Sequence, residues 1–229
     1  MNPEALVKRW QDVQERIRLA ALKAGRLEDS VRLVAVSKRH PVEAIATLYE
    51  HGQYLFGENY VQEAQKKMEL LPSDIQWHFL GHLQTNKVKQ VVGIFDLIHG
   101  VDSLKLARSL QGRAEELDCT QNVLVQVNLG SETQKNGVLE EDLPQLAEYL
   151  AASSRLCWQG LMLMPPFLGD VDKVRPFFVR LRELAHKLSQ EFGMSLKELS
   201  MGMTDDFEAA IEEGATIVRV GTRIFGKRE

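Results

Sequence analysis

Short apolar runs alternate with helix-length segments along the whole chain, and no tight two-residue turn joins one run to the next. Runs of apolar, often valine-rich, sequence occur at 31–36, 54–56, 75–80, 95–101, 122–127, 156–164, 198–203 and 215–220. Their length and β-branched content read as buried strands. Helical or short closing segments follow at 41–50, 61–70, 84–91, 103–117, 143–150, 171–190, 204–214 and 222–229. An Asn-Gly pair does occur, Asn136-Gly137, but in a polar loop (130–137) that leads into a helix. A strand that cannot turn straight back reaches its neighbour by a crossover, so the pattern demands parallel pairing. Eight such units in 229 residues match the size of a (β/α)8 barrel. The competing arrangement is an open, doubly wound sheet.

One further segment stands before the first unit. At 2–24, Leu6, Trp10, Val13 and Ile17 recur at three- and four-residue steps, with Gly25 as a stop, which predicts an amphipathic leading helix. Thr204 reads as an N-cap, with Asp205 and Asp206 in the first helical turn. Length alone allows one large domain or two small ones. The eight units and the leading helix use all of it, so the expectation is an α/β chain forming a single TIM barrel over 1–229.

Charge and cysteine content narrow the function classes. Lys plus Arg is 28 and Asp plus Glu is 32, a formal net charge of −4, which gives no overall pull toward nucleic acid or an anionic membrane. Two cysteines, Cys119 and Cys157, are too few for a disulfide framework or a four-ligand zinc site. No signal-peptide core and no apolar run of roughly 18 residues is seen, so a cytoplasmic protein is expected. No apolar stripe exceeds what the helices need to cover a barrel, and a monomer is expected.

In a parallel barrel the site lies at the carboxyl ends of the strands. The residues there are small and polar: Lys38 after the first strand, Asn59 after the second, His82 after the third, Ser200 and Gly202 after the seventh, and Arg219, Gly221 and Thr222 on and after the eighth. Lys38 keeps the two-residue phase of Val34 and Val36, which points it into the barrel mouth. An amine there can form a Schiff base with an aldehyde, or can simply reach water over an apolar stem. Gly221-Thr222, with Ser200 and Gly202, can form a phosphate cup from backbone N–H groups and hydroxyls; the same glycines also suit plain tight turns.

Three other patterns carry little. The stretch from Gly221 to Lys227 approaches a P-loop but has Arg228 where Ser or Thr must hold magnesium. His78 and His82 have the four-residue spacing of zinc ligands on a helix, but they fall on a strand, and Phe79 replaces the required glutamate. Neither cysteine has a histidine beside it.

Five separated motifs carry a family resemblance: Val36-Ser37-Lys38; Phe56-Gly57-Glu58-Asn59; Trp77-His78-Phe79-Leu80-Gly81-His82-Leu83-Gln84 with Asn86-Lys87; Leu199-Ser200-Met201-Gly202-Met203-Thr204-Asp205-Asp206; and Val218-Arg219-Val220-Gly221-Thr222 with Ile224-Phe225-Gly226. Taken in order, they resemble the pyridoxal phosphate homeostasis protein family, whose fold is similar to the N-terminal barrel domain of alanine racemase. The resemblance implies that Lys38 holds pyridoxal 5′-phosphate as a Schiff base and that Arg219 faces the pyridine nitrogen. It implies that Ser200, Gly221 and Thr222 hold the phosphate beside the backbone of Met201 and Gly202, and that Asn59 and His82 line the pocket. Gly100, residues 163–166, Arg223 and Lys227-Arg228 depart from the family pattern beside these motifs.

The implied function is a pyridoxal phosphate buffer or carrier in vitamin B6 homeostasis that passes its ligand to apo-enzymes, with no catalytic residue of its own. The alternative is a racemase-like enzyme. That needs a second acid/base, which the similar racemases take from an extra β domain, and none of the four tyrosines stands at an expected strand end. A Schiff-base aldolase would use Lys38 but leaves Arg219 unexplained.

Overall fold

The structure is a computed structural model that describes residues 2–130, 136–166 and 168–226. The polar loop before the fifth barrel helix falls partly, and Lys227-Arg228 wholly, outside the described residues. The chain opens with α1 (Pro3–Lys23), where Asn2 Oδ1 accepts the Ala5 N–H at 3.3 Å and Pro3 starts the helix. Leu6, Trp10, Val13, Ile17, Ala20 and Ala21 form its buried stripe.

The eight strands are β1 (Arg32–Val36), β2 (Leu55–Glu58), β3 (Gln76–Phe79), β4 (Leu97–Val101), β5 (Gln121–Val127), β6 (Leu156–Leu163), β7 (Glu198–Ser200) and β8 (Ile217–Val220). Between them run α2 (Val42–Glu50), α3 (Val61–Met68), a 3-10 helix (Thr85–Gln90), α4 (Leu104–Glu116), α5 (Leu143–Ala151), α6 (Val171–Phe192) and α7 (Phe207–Glu212), and α8 (Thr222–Phe225) follows β8. All pairings are parallel and the sheet closes in sequence order, β1 to β8. The closed barrel, rather than the open sheet, is what strict alternation over eight units produces.

Closure makes β1 and β8 neighbours, with Val34 opposite Arg219 and Ala35 opposite Val220. Helix α1 packs on α2, α7 and α8, the helices flanking that seam. Arg9 Nε donates to the Ile224 carbonyl at 2.7 Å, and Trp10 Nε1 donates to Gln53 Oε1 at 2.9 Å.

The two-residue period separates the faces of each strand. Val34, Leu55, Leu80, Leu97, Leu124, Met162 and Ile217 fill the barrel interior, while the larger apolar cluster lies between sheet and helices. Burying a side chain of this kind contributes about 1.5–3 kcal/mol.

Three local expectations need correction. The segment expected as a helix at 84–91 winds as a 3-10 helix. Pro41 stands at the N-cap position of α2, one residue before the helix. Thr204 does not cap α7. Asp206 takes that position, and its Oδ1 accepts the Met203 N–H at 2.6 Å, which folds residues 203–206 into a turn before the helix starts.

Candidate functional site

A cavity of about 160 Å³ opens at the carboxyl ends of the strands. Lys38, Asn59, Thr204, Arg219, Gly221 and Thr222 supply its polar wall, and Val36, Leu80, Met162 and Met164 part of its apolar lining. Lys38 lies on the turn that follows β1. The His40 N–H donates to the Ser37 carbonyl at 3.0 Å, and Arg39 has φ 62°, a left-handed conformation that a non-glycine residue rarely adopts. The turn lets Lys38 continue the inward phase of Val34 and Val36. His40 also lines the cavity, its ring stacked on Phe225 at 4.7 Å.

Arg219 projects inward from β8 and is buried. Nη1 donates to Ser200 Oγ at 2.6 Å and Nη2 to the Leu163 carbonyl at 2.9 Å. Burial pulls its pKa down to about 10, against the attraction of Asp206, so it keeps its charge at neutral pH. Both of these hydrogen bonds go to uncharged acceptors.

The polar chain continues inward. Ser200 Oγ lies 2.9 Å from His99 Nδ1, and His99 Nε2 lies 2.9 Å from His78 Nδ1. Burial holds both histidines neutral: His78 falls to about 3, and His99 is pushed well below its ordinary value by burial and by its neighbours His78 and Arg219. One assignment of protons satisfies the row. Ser200 accepts from Arg219 and donates to His99, whose other nitrogen then donates to His78.

Glycines let the wall close up. A Cβ on Gly221 would stand 3.2 Å from the Val36 carbonyl oxygen, so the Gly221-Thr222 corner can lie against β1 beside the Lys38 turn. A Cβ on Gly81 would strike the Asn59 carbonyl. Asn59 lines the cavity, while its Oδ1 is buried without a hydrogen-bond partner among the described residues. Such an atom is costly to leave unmet.

The expected residues thus separate into three groups. Lys38, Asn59, Arg219, Gly221 and Thr222 meet at one cavity. Ser200 lies beneath it as a partner of Arg219, and Met201 and Gly202 lie behind the wall. Met201 is fully buried in the outer apolar cluster. Gly202 has φ 90°, its carbonyl accepts the Arg219 N–H at 3.0 Å, and a Cβ there would approach Ala210 Cβ to 2.6 Å. His82 is not brought in: it is half exposed, 3.3 Å from Asp102 Oδ2, in a separate shallow cleft with Gln84, Thr85 and Asn86.

Thr204, Met162 and the His78–His99 pair are parts of this region that the sequence alone does not reveal, whereas His40 stands at the expected strand end. His99 is in phase with the inward Leu97, a signal that was available. Thr204 sends a misleading one, because Thr-Asp-Asp reads equally well as a helix start. Among the described residues, no group of three or more His, Cys, Asp or Glu could hold a metal ion.

A closed parallel barrel with an amine, a buried guanidinium and a Gly-Thr corner around one rim cavity defines the class: a barrel built to hold a small polar ligand with its strand ends. The family described as "Alanine racemase, N-terminal domain" matches residues 10–229. The pyridoxal phosphate homeostasis protein of Aquifex aeolicus (strain VF5) is 47% identical over 223 residues, 97% of this chain and 98% of that protein. The protein of the same name from Vibrio alginolyticus is 42% identical, covering 96% of each chain. PipY of Synechococcus elongatus PCC7942, solved with PLP bound, is 41% identical with a TM-score of 0.82, covering 92% of this chain and 99% of that one. The chain therefore belongs to the alanine racemase N-terminal domain family, among the pyridoxal phosphate homeostasis proteins.

Proposed function

We propose that this chain is a pyridoxal 5′-phosphate carrier that holds its ligand at Lys38 and serves intracellular vitamin B6 homeostasis. The observation that carries the reading is the meeting of Lys38, Arg219 and the Gly221-Thr222 corner around one cavity. The residues fit the cofactor. Lys38 brings an amine, Arg219 a buried cation, and Gly221-Thr222 backbone and hydroxyl groups to the same cavity wall.

Bound there, the cofactor supplies an aldehyde that condenses reversibly with an amine and releases water. Lys38 offers the amine at Nζ. Gly221 and Thr222, with the Thr204 hydroxyl, offer the groups for a phosphate. Ser200, Met201 and Gly202 act behind that wall, Ser200 by holding Arg219. Arg219, a lasting cation, disfavours a proton on any ring nitrogen it faces. That makes the ring a poorer electron sink, so the site retains the cofactor without fully activating it. His82 plays no part in holding it.

The racemase-like alternative needs a second acid/base at the cavity. The four tyrosines lie elsewhere: Tyr49 bonds Asp74 at 2.8 Å, Tyr60 accepts from Arg39 at 3.2 Å, and neither Tyr54 nor Tyr149 lines the cavity. We read the chain as one cofactor-holding unit, a cytoplasmic monomer that delivers the aldehyde to apo-enzymes lacking it.

Reduction with borohydride after loading is expected to fix one pyridoxyl group on Lys38, located by mass spectrometry, and Lys38→Ala is expected to abolish it. A protein that takes up no cofactor, or an adduct mapped elsewhere, sinks this reading. Robust racemisation or transamination of common amino acids would replace the carrier with an enzyme.

A further inference from the structure

The mechanism above uses the inner face of the sheet and leaves a buried ion cluster on its outer face unexplained. Lys67, on α3, is nearly inaccessible. Its Nζ donates to three acceptors: the Ser37 carbonyl at 2.8 Å, Glu58 Oε1 at 2.7 Å and Glu63 Oε1 at 2.7 Å. Ser37 Oγ also donates to Glu58 Oε1, at 2.7 Å. Glu63 Oε1 accepts the backbone N–H of Arg39.

These bonds converge on the two chain neighbours of Lys38. Ser37 is gripped at its carbonyl and its hydroxyl, and Arg39 at its N–H. Arg39 is the residue in the left-handed conformation, which persists only where the surroundings over-determine it. A buried ion cluster is in general weak grounds for stability, because apolar residues of similar volume serve as well. Here its hydrogen bonds instead set a backbone. We propose that Lys67, through Ser37 and Glu63, is a positioning residue that holds the turn presenting Lys38, so that the amine stands ready in the cavity before the aldehyde arrives.

The inference rests on the cofactor reading for its consequence, but the held turn exists without cofactor and can be tested apart from it. Two variants serve. Lys67→Met with Glu58→Gln removes the two most deeply buried charges as a pair and leaves Ser37 an acceptor; Glu63, partly exposed, loses Lys67 but keeps the Arg39 N–H. Glu63→Ala removes the Arg39 acceptor, and with it one of the three acceptors of Lys67, from a partly exposed helix position. Three measurements apply: amide hydrogen exchange at Arg39 and His40 in the cofactor-free protein, the rate of imine absorbance growth with pyridoxal 5′-phosphate, and the urea midpoint.

The paired variant should exchange these two amides roughly tenfold faster, as a locally opened turn does. Its imine should form about tenfold more slowly through lost pre-orientation. Glu63→Ala should show the same signs at roughly threefold. A paired variant with a lowered urea midpoint leaves the decision to Glu63→Ala. Native exchange and native imine rates in Glu63→Ala overturn the proposal, as does any slowing that follows the urea midpoint alone. Wild-type protein that forms no imine overturns the cofactor reading instead, and the exchange data then decide the positioning role by themselves.

Discussion

Lys67 and Arg219 are buried cations on opposite faces of one sheet, and the two regions treat them differently. In the layer between sheet and helices, Lys67 meets two carboxylates and a carbonyl within 2.8 Å. Inside the barrel, Arg219 meets a serine hydroxyl and a carbonyl, and behind the serine stand two neutral histidines. A cation that is compensated in the resting fold builds structure. A cation whose hydrogen bonds go only to dipoles, with Asp206 attracting it from beyond hydrogen-bond reach, keeps more of its field for whatever enters the cavity above it. Two neutral histidines suit that purpose, since they support the arginine through Ser200 without cancelling its charge.

The contrast can be broken by removing each cation. Lys67→Met as a single change strands Glu58, which already has one oxygen without a hydrogen bond, and should cost about 3–5 kcal/mol in urea unfolding. Arg219→Met leaves only neutral acceptors unmet and should cost about 1–3 kcal/mol, while cofactor retention falls far more than stability. If Arg219 proved the costlier loss to the cofactor-free fold, its charge would be structural after all.

The neutral histidines predict a pH dependence. An unfolded histidine takes up a proton below about 6.5. His78 does so in the fold only near 3, and His99 is also lowered. Their contribution is therefore complete above about 6.5 and is lost as pH falls toward 3, at about 1.4 kcal/mol per pH unit for each histidine. Glu58 and Asp206, both raised by burial, oppose this trend, so the sharper measurement is a difference. His78→Asn should flatten the fall in urea midpoint between pH 6 and pH 4. An unchanged slope would mean that His78 is charged in the folded barrel.

The smallest expected effect lies outside both regions. The His82–Asp102 pair is partly exposed, and such pairs contribute about 0–1 kcal/mol. His82→Ala should leave cofactor retention, read by equilibrium dialysis, within about twofold of wild type. A larger loss would bring His82 back into the site and place a second cleft in the mechanism.

Much of this molecule is legible along the chain. The alternation of eight strands and helices leads to the closed barrel, and the phase of Val34 and Val36 aims Lys38 correctly. Gly221-Thr222 marks a corner of the rim cavity, because a glycine at a strand end records a close approach in its own identity. The misplacements share a cause. His82 and Asn59 stand at equivalent strand ends in sequence, yet only Asn59 faces the cavity. Thr204 carries the signature of a helix cap, yet Asp206 takes that position and leaves Thr204 on the cavity wall.

The sequence by itself determined the periodic properties: which residues face inward, where strands stop, and where backbone must come close. Those follow from a repeat of two or 3.6 residues and from local conformational limits. The tertiary structure alone decided which buried residues touch. Ser200 and His99 are 101 residues apart, and Lys67 and Ser37 are 30 apart. Their contacts depend on barrel closure and on how far each strand slides past the next, quantities summed over the whole sheet that no local window contains.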